Sequence, residues 1–270
     1  MRGRRPGAGG FTLIEVIVVI AVISILAAMA VPYAVKIIDQ SREEATKKEM
    51  EDLYNATMGD PKIPTAGFVG DVGRLPAIIT ELNTRTAGPL PNPPQGLPGG
   101  GLLGVKVGWY GPYVNAGFDP VGYISDAWGT AYRYGVAPDG AGQIRSAGPD
   151  RAFGSADDLV YPPNPVIFTG NLLVNLYVWD TTAGLYRLNP APAQVTVMGV
   201  TFYYSNNGSQ ASVSITIPLA PPYSFNGYHA GLHAVTGTCQ LVGSPVAATG
   251  QAVVYVPGNN QQSQVNLYLR

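Results

Sequence analysis

The stretch GFTLIEVIVVIAVISILAAMAVP, residues 10–32, determines the architecture expected of this chain. From Phe11 to Val31 it runs for 21 residues with only three polar interruptions, which is long enough to span a bilayer as a helix. Three arginines lie among the ten residues that precede it, so we expect the N-terminus on the cytoplasmic side. The stretch therefore predicts a membrane-inserted helix at the start of the chain.

Two simple interpretations of this stretch are a secretory signal and a plain membrane anchor. Residues 28–30, Ala-Met-Ala, fit the small-residue cleavage site of a signal peptide. Glu15 argues against both interpretations, because a carboxylate near the start of an apolar helix is costly in lipid unless it has a partner. We therefore expect Glu15 to have a function.

The hexapeptide GFTLIE, residues 10–15, resembles the processing motif of type IV pilins and type II secretion pseudopilins. The resemblance implies that a prepilin peptidase removes the leader, residues 1–10. The cut would fall between Gly10 and Phe11, and the new N-terminus would be methylated. Glu15 would then be the fifth residue of the mature chain.

The resemblance also implies how the subunit assembles. The precursor would lie in the inner membrane and then polymerise with copies of itself on an inner-membrane assembly platform. Glu15 of one subunit would meet the charged amine of Phe11 in a neighbour, which neutralises both groups in an apolar setting and sets the axial register. Pro32 lies where this family often has a proline that kinks the helix.

Beyond Pro32 the sequence changes from apolar to charged while helical spacing continues. Glu43 and Lys47 form an i,i+4 pair with the acid first, which is the favourable order, and Glu44 and Lys48 form a second such pair. Gly59 and Pro61 are helix-ending residues. The pattern predicts one helix over residues 11–57, roughly 70 Å long at 1.5 Å per residue.

Residues 58–161 are rich in proline and glycine and are expected to form a small globular domain. Within them, DAWGTAYRY, residues 126–134, resembles the start of the small sheet in the major pseudopilin of type II secretion. By its composition alone, this run predicts a strand with aromatic packing.

The loop SAGPDRAFGSADDL, residues 146–159, holds three carboxylates within nine residues. Calcium takes oxygen ligands, so the loop predicts either a calcium site or a plain acidic turn; the spacing is not that of an EF-hand. It resembles the calcium loop of major pseudopilins, which implies Asp150 and Asp157 as side-chain ligands. Asp158 would be a third or supporting ligand, with carbonyls near Ser146 and Ser155 completing the shell. Arg151 stands where that family has a glycine.

The last third begins after a proline-rich linker at residues 162–165. Short apolar or β-branched runs then recur between turn residues, which predicts an antiparallel β-sandwich accessory domain over residues 166–270. We expect its strands at residues 171–179, 194–204, 211–217, 231–241, 251–256 and 264–269. The two histidines, His229 and His233, are expected in a loop and at a strand start.

Taken together, the sequence predicts an α+β fold: a long N-terminal helix packed on a small antiparallel sheet, plus a C-terminal β-sandwich. The expected function is a structural subunit of a type IV pilus-like filament or a type II secretion pseudopilus, and not an enzyme. It would act at the cell surface or in the periplasm. An adhesive pilin that binds glycans or other filaments is the alternative, and a membrane-tethered hydrolase is a weaker one. Only two residues after Thr181 are charged, Arg187 and Arg270, so we expect no nucleic-acid partner.

Overall fold

The computed structural model describes residues 12–59, 67–85, 95–96, 105–114, 122–135 and 140–270. The expected leader and the expected cleavage site at Gly10 and Phe11 lie outside these residues, as does Pro61. Those expectations therefore stay predictions.

A single helix, α1, spans Leu13–Met58. It begins at Thr12, whose side chain caps it, and it ends at Gly59, whose φ of 84° is a conformation that favours glycine. Helical residues continue through Pro32, although proline lacks the N–H of an internal helix bond. The kink expected at Pro32 stays a prediction.

The two halves of α1 have different surroundings. Its first half is long and apolar enough to cross a membrane, and its side chains are exposed on every face. Its buried residues all lie near the C-terminal end, from Thr46 onward. The globular part of the chain therefore packs on the last turns of α1 and leaves the apolar half free.

The segment after α1 forms a small α+β layer on that end of the helix. It contains a short helix, α2 (Gly67–Val72), and 3-10 turns at Ile79–Leu82 and Gly122–Ile124. The strands β1 (Gln95–Gly96) and β2 (Lys106–Val107) pair with each other. An antiparallel sheet has the order β3 (Arg133–Tyr134), β4 (Ile144–Ser146) and β5 (Leu159–Tyr161). Met50 and Leu53 of α1 pack against Phe68, Val72 and Ile144 in the core of this layer.

Eight further strands form a β-sandwich. They are β6 (Thr169–Asp180), β7 (Leu185–Leu188), β8 (Val195–Asn206), β9 (Ser209–Thr216), β10 (Tyr223–His229), β11 (Gly231–Leu241), β12 (Ala248–Val256) and β13 (Gln262–Leu269). One sheet has the order β10-β6-β13, with β7 also pairing with β6, and the other has the order β12-β11-β8-β9. A 3-10 turn at Pro192–Gln194 precedes β8.

The sandwich has one apolar core between its two sheets. Along β6, every second residue from Gly170 to Asp180 is buried, which is the period-2 pattern of a strand with one face inward. Side chains from both sheets, including Leu176, Phe202 and Val235, meet in this core. The predicted α+β class with an added sandwich is confirmed.

One pairing differs from the expected antiparallel arrangement: β13 runs parallel to β6. The chain changes sheets between β12 and β13, so the last strand is not constrained by a hairpin to run against its neighbour.

One end of the sandwich rests on α2. The N–H of Gly208, in the turn between β8 and β9, donates to the carbonyl of Val72 over 2.6 Å. Gly73 has a φ of +81°, and a Cβ there would lie 2.2 Å from the carbonyl oxygen of Ser205, so the approach requires glycine. Met58, Val69 and Ala230 form a small apolar cluster beside this contact. We call this contact the junction; the domain boundary expected at residues 162–165 stays a prediction.

Candidate functional site

The start of α1 is closed by a reciprocal pair of side chains. The backbone N–H and the hydroxyl of Thr12 both donate to Oε2 of Glu15 over 2.8 Å. The N–H of Glu15 donates back to Oγ1 of Thr12 over 3.4 Å. This is a capping box, which satisfies backbone donors that the first helical turn leaves open. Glu15 thus has a partner inside its own subunit.

The capping box lowers the cost of placing the Glu15 carboxylate in an apolar environment. A carboxylate that accepts two hydrogen bonds at a positively polarised helix N-terminus is less costly in an apolar environment than a bare one. Only one carboxylate oxygen, Oε2, is used by Thr12. A cation from a neighbouring chain can therefore approach Oε1 without breaking the cap. The intermolecular pair with the amine of Phe11 stays a prediction, because Phe11 lies outside the described residues.

The run at residues 126–134 fastens the small sheet to α1. The indole N–H of Trp128 donates to Asp39 over 3.4 Å, and the phenol of Tyr132 donates to Glu49 over 2.7 Å. The backbone N–H of Ala127 donates to the hydroxyl of Thr46 over 3.2 Å. Burial raises the pKa of the Glu49 carboxyl despite the phenol, which alone would lower it. The sequence predicted aromatic packing for this run, and two of its aromatic side chains, Trp128 and Tyr132, contact α1.

Asp126 organises the turn that carries this run. Its Oδ1 accepts from the N–H groups of Trp128 and Thr130, and its Oδ2 accepts from the hydroxyl of Ser146 over 2.6 Å. Asp126 and Ser146 are both buried. The Ser146 hydroxyl therefore joins the two segments, since it donates to Asp126 of the turn and accepts from the N–H of Gly148 in the acidic loop over 3.1 Å.

Asp150 and Asp157 meet in the acidic loop. The N–H of Asp150 donates to Oδ2 of Asp157 over 3.1 Å, and the Ser155 hydroxyl donates to Oδ1 of Asp157 over 2.6 Å. These bonds, led by the one from Ser155, lower the pKa of the Asp157 carboxyl. Arg151 adopts a φ of 59°, in the left-handed region that favours glycine.

Asp158 bonds both within the loop and to the small sheet, and its Oδ1 accepts from the hydroxyl of Ser155 over 3.3 Å. Its Oδ2 accepts from the guanidinium of Arg145 and from the N–H of Gly154, each over 2.9 Å. Across the described parts of the chain, no three Asp, Glu, His or Cys side chains form a group suited to one metal ion. Asp150 and Asp157 therefore fit a calcium site better than Asp158, whose charge Arg145 already neutralises.

The two histidines form a buried pair at the junction, which the sequence did not reveal. Their rings lie 4.7 Å apart, and Nε2 of His233 lies 2.8 Å from the carbonyl oxygen of His229. Burial, together with the nearby His233, lowers the pKa of His229 to about 3, and burial lowers the pKa of His233 to about 4. A backbone hydrogen bond links His229 to Gly70 of α2.

His229 differs from the predicted loop position because the chain from Tyr223 to His229 is a strand, whereas His233 lies near the start of β11 as predicted. The glycine at position 227 of the first strand accommodates a break in register with β6 and hides the alternation in the sequence. Within the described residues, Nε2 of His229 has no protein hydrogen-bond partner.

Comparison with known proteins identifies two similarities. A family model for the prokaryotic N-terminal methylation motif matches residues 5–31. The type IV major pilin protein PilA of Myxococcus xanthus (strain DK1622) is 32% identical over 106 residues, which cover 34% of this chain and 48% of that protein. The match thus spans about half the length of this relative. No solved structure matches the chain.

Proposed function

We propose that this chain, whose N-terminal region belongs to the type IV pilin superfamily, is the structural subunit of a type IV pilus-like filament. One observation carries the proposal: a methylation motif leads directly into a helix whose apolar first half is exposed on all sides. Such a surface is stable only in lipid or against other helices. In the precursor this surface lies in lipid, and in the polymer it packs against the helices of other subunits.

A surface pilus is favoured over a secretion pseudopilus by the similarity to a major pilin. The sandwich agrees with this choice, since it is attached at the far end of α1 from the apolar half. With the apolar halves of many helices in the filament core, the sandwich lies on the outside. The role is structural rather than catalytic, and the partners are other copies of the chain, a prepilin peptidase and an inner-membrane assembly platform.

The processed N-terminus tests this proposal. Filaments sheared from cells that produce this chain are expected to contain it with residues 1–10 removed and with a methylated Phe11. The reason is that residues 10–15 carry the processing motif. Mass spectrometry of the N-terminal peptide measures both the cut and the added methyl group.

Two other results would contradict the proposal. A mature chain that starts at Val31 indicates a conventional signal peptide. A correctly processed chain that stays with the cell envelope after shearing, without surface filaments, indicates a pseudopilus. A Gly10→Val precursor is the control, because it is expected to remain uncut and to yield no filaments.

We also propose that Asp150 and Asp157 bind calcium together with loop carbonyls. The support is that the N–H of Asp150 donates to the Asp157 carboxylate, which holds the two residues side by side, and that hydrogen bonds lower the pKa of Asp157 and so favour its charged form. The ion would draw the loop closed where Arg151 holds an unfavourable conformation for a non-glycine residue.

Thermal unfolding of the full chain in detergent micelles tests calcium binding. Calcium at about 100 times its Kd is expected to stabilise the folded state by about 2.7 kcal/mol, because only that state gathers the ligands. Asp157→Asn is expected to remove the calcium-dependent shift in Tm. Asp158→Asn is the matched control: it breaks the pair with Arg145 and lowers Tm equally with calcium and with chelator. An identical Tm for the unmodified chain in calcium and in chelator identifies a plain acidic turn.

A further inference from the structure

The outer face of the β6–β13 sheet carries a cluster of aromatic side chains. We define the distal aromatic patch as Tyr177, Trp179, Tyr186, Tyr268 and Arg270. The rings of Tyr177 and Tyr268 are stacked with centroids 4.9 Å apart, and Tyr186 meets Tyr268 edge-on at 5.4 Å. Trp179 contacts Tyr186 at 5.1 Å, and the Arg270 guanidinium lies 5.7 Å from the Trp179 ring centre. Tyr268 is 54% exposed and Tyr186 is 38% exposed, so much of this aromatic surface faces solvent.

The patch lies at the end of the sandwich opposite the junction. β6 starts at Thr169, next to the loops that contact α2 and α1, and ends at Asp180 beside the patch. Its 12 residues separate the two ends by roughly 35 Å at about 3.3 Å per residue. Within one subunit, the patch is therefore the part of this sheet farthest from the polymerising helix.

Amide side chains continue the same face next to the rings. Nδ2 of Asn175 donates to Oδ1 of Asn266 over 3.1 Å, and Nδ2 of Asn189 donates to Oδ1 of Asn175 over 3.0 Å. These bonds fix the amides in a row across the sheet. Each amide has two N–H donors and two acceptor lone pairs, so each keeps hydrogen-bonding capacity for a ligand.

The patch is almost free of charge. The only acid after Asp158 in the sequence is Asp180, which is buried and bonded to Arg187. Among the patch residues, charge is thus confined to Arg270. A cleft lined by Trp179, Thr181, Val246 and Arg270 opens at the edge of the patch. A ligand therefore finds aromatic faces, a row of amides and a shallow cleft, and no acidic side chain belongs to the patch.

We propose that the distal aromatic patch binds the pyranose rings of a neutral polysaccharide. A pyranose ring has an apolar C–H face, which packs on the electron-rich face of an aromatic ring, and equatorial hydroxyls, which bond to amides. A chain of such rings follows the face along β6, with rings on the aromatics and hydroxyls on the amides. A protein partner of the usual size would have to desolvate the amide row as well, and would need matched groups for each amide.

Binding to a defined oligosaccharide tests the proposal. The full chain is held in zwitterionic detergent micelles, since the sugar headgroups of maltoside detergents would compete for the site. It is titrated with cellohexaose, maltohexaose and chitohexaose, and with hexagalacturonate as the anionic probe. At least one neutral hexasaccharide is expected to bind and to change the tryptophan fluorescence, because Trp179 lies in the patch.

Tyr268→Ala and Tyr186→Ala are each expected to weaken that binding roughly tenfold, the loss expected for one stacked ring. Tyr186 lies on the short edge strand β7, so its removal tests the patch even where Tyr268→Ala disturbs folding. Tyr203→Ala is the matched control, since Tyr203 is a half-buried tyrosine on the other sheet. Its binding is expected to equal that of the unmodified chain.

Three results would overturn the proposal: no neutral hexasaccharide binds, hexagalacturonate alone binds, or the tyrosine variants bind as well as the Tyr203→Ala control. Loss of filament bundling in Tyr268→Ala without any sugar binding would instead assign the patch to contacts between copies. The titration uses monomers in micelles and does not depend on filament assembly. A failure to bind sugar therefore contradicts only the proposal for the patch. A failure to form filaments contradicts only the proposed function.

Discussion

Replacing Glu15 by Gln is expected to prevent filament assembly while leaving the folded subunit and its membrane insertion intact. Glutamine keeps the shape of the side chain and is the other residue that completes a capping box, so the cap with Thr12 survives. The substitution removes the negative charge of the side chain. We propose that this charge pairs with the Phe11 amine of a neighbouring subunit. Leaving one partner of a buried ion pair uncompensated costs about 3–5 kcal/mol, so subunit addition is expected to weaken by roughly a hundredfold or more.

Filament yield, measured by shearing and quantitative blotting against the total subunit, reports this effect. Thr12→Val is the matched control: it removes the hydroxyl's hydrogen bonds in the cap, at a cost of about 1 kcal/mol, and keeps the carboxylate. The pairing model expects filaments from Thr12→Val and almost none from Glu15→Gln. The reverse pattern would mean that Glu15 acts through the helix cap alone.

Acidification between about pH 6.5 and pH 4 is expected to lower the free energy of unfolding by roughly 3 to 5 kcal/mol, through His229 and His233. The folded pKa values are about 3 and 4, below the unfolded value of 6.5, because burial disfavours the charged rings. The folded state therefore keeps its full stability above pH 6.5. Protons bind first to the unfolded state as the pH falls, and the stability is lost progressively toward the folded pKa values.

Denaturant unfolding at pH 7.5, 5.5 and 4.5 measures this loss. All three tryptophans, Trp109, Trp128 and Trp179, lie outside α1, so their fluorescence reports on the globular part. Glu49 works in the opposite direction, since its raised pKa makes the folded state bind its proton more readily. Asp157 and Asp180, with lowered pKa values, contribute mainly below this window.

A His229→Gln, His233→Gln double variant separates the histidines from these carboxyls. It is expected to lose most of the stability difference between pH 6.5 and pH 4.5 while still unfolding cooperatively. An unchanged pH dependence in that variant would contradict the assignment. Because His229 contacts Gly70 of α2, hydrogen exchange at the junction is also expected to rise in acid before exchange in the sandwich core does.

The sequence predicted the elements whose pattern is local. The apolar run and the following i,i+4 pairs gave the helix, which ends at Gly59 as expected. An apolar and β-branched run between turn residues located β11, predicted and observed at residues 231–241. Other sandwich strands were predicted within a few residues of their ends, since turn residues mark those ends only approximately.

Two strands were missed for physical reasons. β7, Leu185–Leu188, is exposed along its whole length, so it has no inward face to produce alternation. β10 contains a break in register near Gly227 that interrupts the period. The parallel pairing of β13 with β6 was equally hidden, because strand direction depends on where the chain crosses between sheets rather than on any local pattern.

For the candidate sites too, motifs within a few residues were readable from the sequence, whereas contacts between distant residues were not. The motif at residues 10–15 is local and was readable, whereas the cap between Thr12 and Glu15 was not recognised from it. The clustering of Asp150, Asp157 and Asp158 was visible, but the ion pair joins Arg145 of β4 to Asp158, the residue before β5, and only the fold brings these two together. The distal aromatic patch combines residues that are distant in the sequence, such as Tyr177 and Tyr268, 91 positions apart, which only the register of β6 with β13 brings together.

That parallel register has a mechanical consequence. The sandwich is held at the end where β6 begins, and the patch lies where β6 and β13 finish. A load applied at Tyr268 is therefore directed along the strand axis, and it stretches the whole ladder between β13 and β6 in shear. Hydrogen bonds pulled this way must break together, whereas a hairpin pulled apart from one end opens one bond at a time. The sheet resists force most strongly along its strands, which is the direction in which a bound ligand would pull. Forced unfolding along this axis is therefore expected to be slow.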